Sequence, residues 1–373
     1  MRILMVNKFY PPDIGGVESV VAQYAKAASA AGHEVQVLTC HSRAGLPTQT
    51  EDEAGVRVTR CRSWGTVWSM PISPHFLLQL LRIAPQFDLV HFHEPFPLGT
   101  LAALLTRHVR YVITWHSDIV RQKAIRPLFQ ALQLAACRRA AVVTTTSAAL
   151  AESSQVLRRV PEKVRVVPLS IDLDNVSRPT QPLVAPPYCL YLGRLARYKG
   201  LDTLIEALKH TDLGTHKLVI AGQGPERDLL LRALQTLGDR IVFIDRSLSD
   251  DEKHALLAHC SFLVFPSSAE NEAFGIVQLE AMAQGRPVLN TSLPTGVPWV
   301  SPHGETGITV PPRDAAALAA AIGRLVSDRT VLAAAEPKVG TCTRADEIGK
   351  WHFIVLRLSV RPSYCHRHVG CGS

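Results

Sequence analysis

Pro179-Thr-Gln-Pro182-Leu-Val-Ala-Pro186-Pro187-Tyr188-Cys189-Leu190-Tyr191-Leu192-Gly193-Arg194-Leu195-Ala196-Arg197-Tyr198-Lys199-Gly200 is the stretch on which the fold turns. Its first nine residues hold four prolines and no helical or strand period, which is the composition of a linker between domains. At Tyr188 an apolar strand-like run begins at once, followed by a glycine-rich turn and a helical pattern over Gly200–Leu208. The alternation continues through Lys217–Ala221 (strand), Glu226–Leu237 (helix), Ile241–Ile244, Asp250–His259, Phe262–Phe265, Gly275–Gln284 and Pro287–Asn290. Working back towards the N-terminus, the same alternation is present. Arg2–Val6 reads as a strand and Val17–Ala31 as a helix with Val17, Val20, Val21, Tyr24 and Ala28 on one face; Gly32 is its stop. Strands are expected at Glu34–Thr39, Val56–Arg60, Leu89–Phe92, Tyr111–Thr114 and Val142–Thr145, and helices at Phe76–Ile83 and Pro97–Leu105. Such alternation predicts an α/β protein of two Rossmann-like, doubly wound domains facing a cleft. The expected boundaries are 1–178 (first domain), 179–187 (linker), 188–335 (second domain, ending in an Ala-rich helix from Ala315) and 336–373 (an atypical tail). That tail has three Cys, three His and no period, and reads as frame-disrupted or disordered.

Bulk composition agrees with two globular domains: 373 residues, 47% hydrophobic and 19% charged. No run reaches the roughly 18–20 apolar residues of a membrane-spanning helix, and the N-terminus lacks the pattern of a signal peptide. The expectation is a cytoplasmic protein, with peripheral contact on the inner face of the cell membrane as a further reading. The net charge is +8, and the excess lies before residue 169, where 19 Lys and Arg face 11 Asp and Glu. Arg107, Arg110, Arg121, Lys123, Arg126, Arg138 and Arg139 are its densest part. A one-sided basic domain suits a phosphate-bearing partner or an anionic membrane, and a solvated basic surface is the plainer alternative. Arg121–Arg139 mixes Ile125, Leu128, Phe129 and Leu132 with cations, so it either lies on a membrane or packs its apolar face on the sheet. No nucleic-acid-binding motif accompanies the charge, and no nucleic acid partner is expected. The eight cysteines contain no Cys-x-x-Cys pair and read as small buried hydrophobes.

Three loops carry chemistry-bearing residues. Gly15-Gly16, at the first strand-to-helix turn, allows close approach of a ligand to backbone N–H groups, although such pairs are often simple turns. In Gly193–Gly200, directly after a strand, Arg194 offers a planar fork of donors and Lys199 a mobile charge. Together they suit a diphosphate, and as surface cations they would be ordinary. Pro266–Ala283 places Glu272 just before a helix and Glu280 in its second turn, with the N–H groups around Phe274, Gly275, Ile276 and Val277 between them. Carboxylates accept from vicinal hydroxyls and a helix N-terminus attracts an anion, so the stretch can hold a sugar, a diphosphate and a ribose; a capped helix with incidental glutamates is the alternative.

Pro11-Pro-x-x-Gly-Gly-Val-Glu18, Gly193-Arg-Leu with Lys199-Gly, Gly222-Gln-Gly-Pro-Glu226 and Glu272-x7-Glu280 occur in that order. The set resembles the large family of retaining glycosyltransferases with the GT-B fold that includes bacterial mannosyltransferases, over residues 1 to about 330. The Phe274–Ala283 run and Leu293-Pro-Thr-Gly-Val-Pro-Trp-Val300 are similar to transferases of surface-polysaccharide (lipopolysaccharide) assembly. The resemblance implies a catalytic set of Arg194, Lys199, His116 and Glu272. Arg194 and Lys199 would hold the diphosphate, Glu272 the sugar hydroxyls, and His116, in Thr114-Trp115-His116-Ser117-Asp118, the transferred sugar. Gly15, Gly16, Gly222, Phe274, Gly275, Ile276 and Val277 would line the donor, and Glu280 would hold the ribose. It implies a nucleotide diphosphate sugar donor, a glycan or lipid-linked acceptor, no cofactor and no obligatory metal. Two departures stand out: Asp245 replaces the usual glycine near the base pocket, and the match fades after about Ala335. His91 and His93 share a strand face without further metal-ligand partners, and the tail's Cys365, His366, His368 and Cys371 lack a first Cys-x-x-Cys half. A nucleotide-sugar 2-epimerase and a non-catalytic glycan-assembly subunit are the alternatives.

Overall fold

The computed structural model describes residues 1–328 apart from 14, 68–69, 107, 120–125, 172, 174–175 and 178. The tail 336–373, the last part of the Ala-rich helix and the basic positions Arg107, Arg121 and Lys123 lie outside the described residues. The described chain forms two compact units, one of Met1–Thr146 with Ser154–Pro168, the other of Ser147–Ser153 with the residues from Leu169 onward.

The first unit contains β1 (Arg2–Val6), β2 (Glu34–Cys40), β3 (Gln49–Glu53), β4 (Val56–Cys61), a small hairpin of β5 (Thr66–Val67) and β6 (Met70–Pro71), β7 (Leu89–Glu94), β8 (Tyr111–Trp115), β9 (Val143–Thr145) and β10 (Val164–Val166). Its helices are α1 (Gly16–Ala30), α2 (Pro74–Ile83), α3 (Pro97–Leu105) and α4 (Arg126–Arg139). Among the described residues the main sheet has eight strands in the order β10-β9-β8-β7-β1-β2-β4-β3. All neighbours are parallel except β3, which runs antiparallel on β4. The inner strands β1, β7 and β8 read as unbroken apolar or buried runs because helices cover both faces of a parallel sheet. Helix α4 buries Gln133, Leu134, Ala136 and Cys137 and leaves Leu128 63% exposed, so its apolar residues divide between sheet and solvent.

The second unit holds α5 (Ala148–Ser153), then β11 (Tyr188–Leu192), α6 (Leu201–Lys209), β12 (Lys217–Ala221), α7 (Arg227–Leu237), β13 (Ile241–Ile244) and α8 (Asp250–His259). It continues with β14 (Phe262–Val264), α9 (Ile276–Ala283), β15 (Val288–Thr291), α10 (Val297–Val300), β16 (Gly307–Val310) and α11 (Ala315–Ser327). The strand order is β13-β12-β11-β14-β15-β16, all parallel. The order reverses between β11 and β14, and ligands of open α/β sheets bind outside the carboxyl ends of the strands at such a reversal. Leu201, Leu204 and Leu208 of α6 and Leu318, Ile322 and Leu325 of α11 share one core with Leu218, Ile220 and Phe262.

Helix starts differ in a way that bears on function. Ser73, Ser249 and Asp314 cap α2, α8 and α11 through side-chain oxygens, Ser249 as half of a capping box with Glu252. The N-termini of α1, α6 and α9 begin instead at Gly15, Gly200 and Gly275, where no side chain caps the helix. Each of these three follows a strand at its carboxyl end. Their first-turn N–H groups are therefore left to a ligand, to water or to a neighbouring acid. The two sequence-predicted helices that began on Gly200 and Gly275 begin one residue later, because both glycines adopt left-handed backbone (φ +71° and +79°) that no helix interior contains.

Candidate active site

In the second unit the loops after β11 and β14 meet at the point where the strand order reverses. Lys199 comes from the first loop and Glu272 from the second; Lys199 Nζ and Glu272 Oε2 form an ion pair whose side chains are 14% and 11% exposed. Ser267 Oγ donates to the same Oε2 (3.4 Å), and the Lys199 ammonium lies 4.9 Å from the Phe265 ring centroid and 5.5 Å from that of Tyr198. Burial by itself would depress the lysine; the Glu272 carboxylate and Tyr198 outweigh it and hold Lys199 above its usual value. Lys199 is therefore a fixed cation at neutral pH.

Backbone contacts bind these loops together. Ser268 N–H donates to the Tyr198 carbonyl (2.7 Å), Leu195 N–H to the Gln223 carbonyl (2.9 Å), and Glu226 N–H to the Leu195 carbonyl (3.0 Å). Gly222 lies so close on the Gly193 carbonyl that a Cβ would collide with it, which accounts for glycine in Gly222-Gln-Gly-Pro-Glu226. Arg194 is exposed, and among the described residues no hydrogen bond or ion pair engages its guanidinium. Phe274 is 2% exposed and packs 6.1 Å from Trp299, while Ile276 and Val277 are half-buried in the first turn of α9. Glu280 pairs with Lys253 of α8 (3.2 Å), which also reaches Asp250 (3.1 Å). Burial opposes the charge on Lys253, and Glu280 and Asp250 together raise it above its usual value. Asp245, beyond β13, pairs with Arg227 (2.5 Å) beside a recess of about 390 Å³ lined by Leu183, Val184, Phe243, Ile244 and Arg246.

In the first unit the candidate residues also lie at strand carboxyl ends. The Glu18 carboxylate occupies the space where a Gly15 side chain would stand, whereas Gly16 faces open space. An acid in the first turn of α1 places negative charge at the helix end from within the chain, so this N-terminus is less open to an outside anion than that of α9. His116 follows β8 and is 4% exposed. It belongs to a buried group with His91 and His93: His93 Nδ1 lies 3.0 Å from His116 Nε2, and His91 Nε2 lies 2.7 Å from the Thr114 hydroxyl. Burial, reinforced by His116, pushes His91 down to about 3; burial, reinforced by Lys8, pushes His116 down to about 3; His93 is held well below its ordinary value by burial and by both neighbours. All three rings are neutral at pH 7. Among the described residues no group of three or more His, Cys, Asp or Glu side chains is arranged to hold a metal.

Next to them Glu94, 2% exposed, accepts from Phe96 N–H (2.8 Å), the Thr100 hydroxyl (2.5 Å) and the Gln133 amide (3.1 Å). Burial pushes its carboxyl up to about 7 against the pull of these donors. A folded value above the unfolded one means that the stability contributed is full below about pH 4.5 and is lost as pH rises through 7. A difference of that size corresponds to roughly 3 kcal/mol. Glu94→Gln, nearly isosteric and chargeless, should therefore flatten the fall in Tm between pH 5 and 8. Melting curves over that range check it, and a slope equal to the unmodified protein's would contradict the assignment.

Sequence reasoning did not single out Lys253, Phe265 or Glu94. Lys253 and Glu280 sit on separate helices, and the Gln133 partner of Glu94 is 39 residues away, so no local pattern marks either pair. Phe265 could have been noticed as the aromatic residue immediately after the strand that precedes the Glu272 loop.

Two doubly wound units with glycine turns at their strand ends match the GT-B architecture of glycosyltransferases. The chain belongs to the group 1 glycosyltransferases: the family described as "Glycosyl transferases group 1" matches residues 186–328, and "Glycosyltransferase Family 4" matches residues 14–175. It is 33% identical over 326 residues to D-rhamnosyltransferase WbpZ of Pseudomonas aeruginosa, covering 85% of this chain and 84% of that one. It is 31% identical over 334 residues to O-antigen chain mannosyltransferase C of Escherichia coli, covering 87% and 88%. In fold it resembles Anabaena HepE, solved in complex with UDP-glucose, with a TM-score of 0.73, 18% identity and coverage of 96% and 99%.

Proposed function

We propose that this glycosyltransferase moves a hexose, with mannose the favoured sugar, from a nucleotide diphosphate sugar to a glycan or lipid-linked acceptor in surface-polysaccharide synthesis, with retention at the anomeric carbon. The observation that carries the reading is the meeting of Lys199 and Glu272 where the strand order reverses, beside the uncapped N-terminus of α9. The anomeric C–O bond breaks and its electron pair goes to the departing phosphate oxygen. Arg194, Lys199 and the N–H groups of Gly275, Ile276 and Val277 stabilise that charge, which in a water-poor site is worth a few kcal/mol per donor. The acceptor hydroxyl oxygen bonds to the anomeric carbon on the face the diphosphate leaves, and its proton passes to the leaving phosphate oxygen. Glu272 and His116 hold sugar hydroxyls; Gly15, Gly16 and Gly222 keep the backbone thin beside the donor.

The O-antigen mannosyltransferase relative supports the sugar and the pathway class, and the HepE complex supports a nucleotide sugar donor. Among the described residues no helix is long and apolar enough to cross a membrane. Arg126, Arg138 and Arg139 on α4, with the exposed Leu128, support peripheral contact with an anionic membrane on its cytoplasmic face. Thermal shift against a panel of nucleotide sugars, followed by product analysis with and without acceptor, tests the reading; sugar isomerisation without transfer would overturn it. Glu280 is assigned to the ribose hydroxyls, in competition with Lys253. Glu280→Ala should weaken nucleotide binding about tenfold while leaving saturated turnover nearly intact. Unchanged affinity by calorimetry would remove that role.

A further inference from the structure

His93 and His116 stand on neighbouring strands. β7 and β8 run parallel with His93 opposite Thr114, and the His116 N–H donates to the Glu94 carbonyl (2.9 Å), so the backbone fixes where both rings start. The rings lie within 14° of one plane, and His93 Nδ1 is 3.0 Å from His116 Nε2. One nitrogen must donate and the other accept. His93 is 1% exposed, and its Nε2 is buried with no hydrogen-bond partner among the described residues. Were His116 the donor, the His93 proton would sit on Nε2 as a buried N–H without an acceptor, an arrangement folded proteins rarely keep. With the proton on Nδ1, His93 donates to His116 and leaves only a bare lone pair buried.

We propose that His93 is a positioning residue that holds His116 as its Nδ1–H tautomer, so that His116 offers a hydrogen-bond donor at Nδ1 to a hydroxyl of the transferred sugar. The proposal rests on the reading that His116 meets that sugar. Because Nε2 is occupied by His93, only Nδ1 remains for the ligand, and it can donate but not accept. Burial, reinforced by Lys8, disfavours a second proton on this ring. The sugar therefore meets an uncharged donor, which does not oppose positive charge growing on the anomeric carbon as the diphosphate leaves.

Long-range proton–nitrogen NMR on the full chain labelled with 15N-histidine tests this, with His116 signals assigned by their loss in His116→Gln. The expected result at pH 7.5 is a protonated Nδ1 and a bare Nε2 on His116. His93→Phe should shift His116 towards the Nε2–H form and lower kcat about tenfold. His93→Asn, whose amide N–H stands near the original Nδ1, should restore both the tautomer and most of the rate. A wild-type His116 protonated at Nε2 would overturn the proposal, as would equal loss of rate in the Phe and Asn variants with melting curves unchanged. If His93→Phe fails to fold, the wild-type spectrum still decides. A correct tautomer combined with normal donor turnover in His116→Gln would instead overturn the sugar-contact reading and leave the His93 pairing standing.

Discussion

Lys199→Ala and Arg194→Ala should each lower transfer turnover at saturating nucleotide sugar by about two to three orders of magnitude, the effect of losing one fixed donor to a developing charge. The two variants should differ in other respects. Arg194 is exposed and engaged by no described side chain, so its loss should leave the melting temperature close to that of the parent. Lys199 is buried against Glu272, and removing it strands a carboxylate that is 11% exposed without its cation. Breaking one partner of such a pair is far more costly than never having had the pair. Lys199→Ala should therefore also melt earlier, and Lys199→Ala combined with Glu272→Gln should recover much of the stability but none of the turnover. Steady-state kinetics with parallel melting curves separates the effects. Near-normal turnover in either single variant would contradict the assigned role.

Gly200→Ala should be among the most damaging single-methyl additions in the chain. Its backbone is left-handed (φ +71°), and the added Cβ would strike the Pro266 carbonyl, a backbone atom that cannot swing aside. Strain and collision together should cost roughly 2–4 kcal/mol, which lowers Tm by on the order of 5–10 °C in a domain of this size. The damage should also reach activity, because Gly200 and Pro266 belong to the two loops that bring Lys199 to Glu272. Gly323→Ala is the control: it lies within α11, has nothing within 4 Å of the added carbon, and should be neutral or mildly stabilising. Equal melting temperatures for the two variants would mean that the loops are not clamped as described.

Sequence reasoning found the strands buried on both faces, where apolar runs are unbroken, such as β1, β7, β8, β11 and β12, and it also placed β2, β4, β9, β13, β14 and β15. It missed β3, whose Gln49-Thr-Glu-Asp-Glu53 is almost wholly exposed and pairs only as an antiparallel edge, so its side chains record no burial. It also missed β16 and β10, the latter half-buried to exposed along its whole length and so without a burial pattern to read. Loop chemistry was legible where a glycine is required by geometry, as at Gly200, Gly222 and Gly275. What each charged side chain touches was not. Glu272 was read as an acceptor for hydroxyls, and its ion pair with Lys199 joins loops 73 positions apart, beyond the reach of any local period. The same holds for His93, which shares a strand face with His91 in the sequence but makes its hydrogen bond across to His116 on the next strand.

The assignment of Ser147–Ser153 to the second unit, although both its flanks belong to the first, has a practical bearing on recombination between related transferases. Among the described residues the chain crosses from one half to the other three times, after Thr146, Ser153 and Pro168. A hybrid joined once, within the proline-rich stretch, would inherit α5 from the parent of the wrong half, and that parent's residue 147 would have to fit against Gly296, where little slack exists. Hybrids that carry 147–153 together with the later half should fold more often than those that do not.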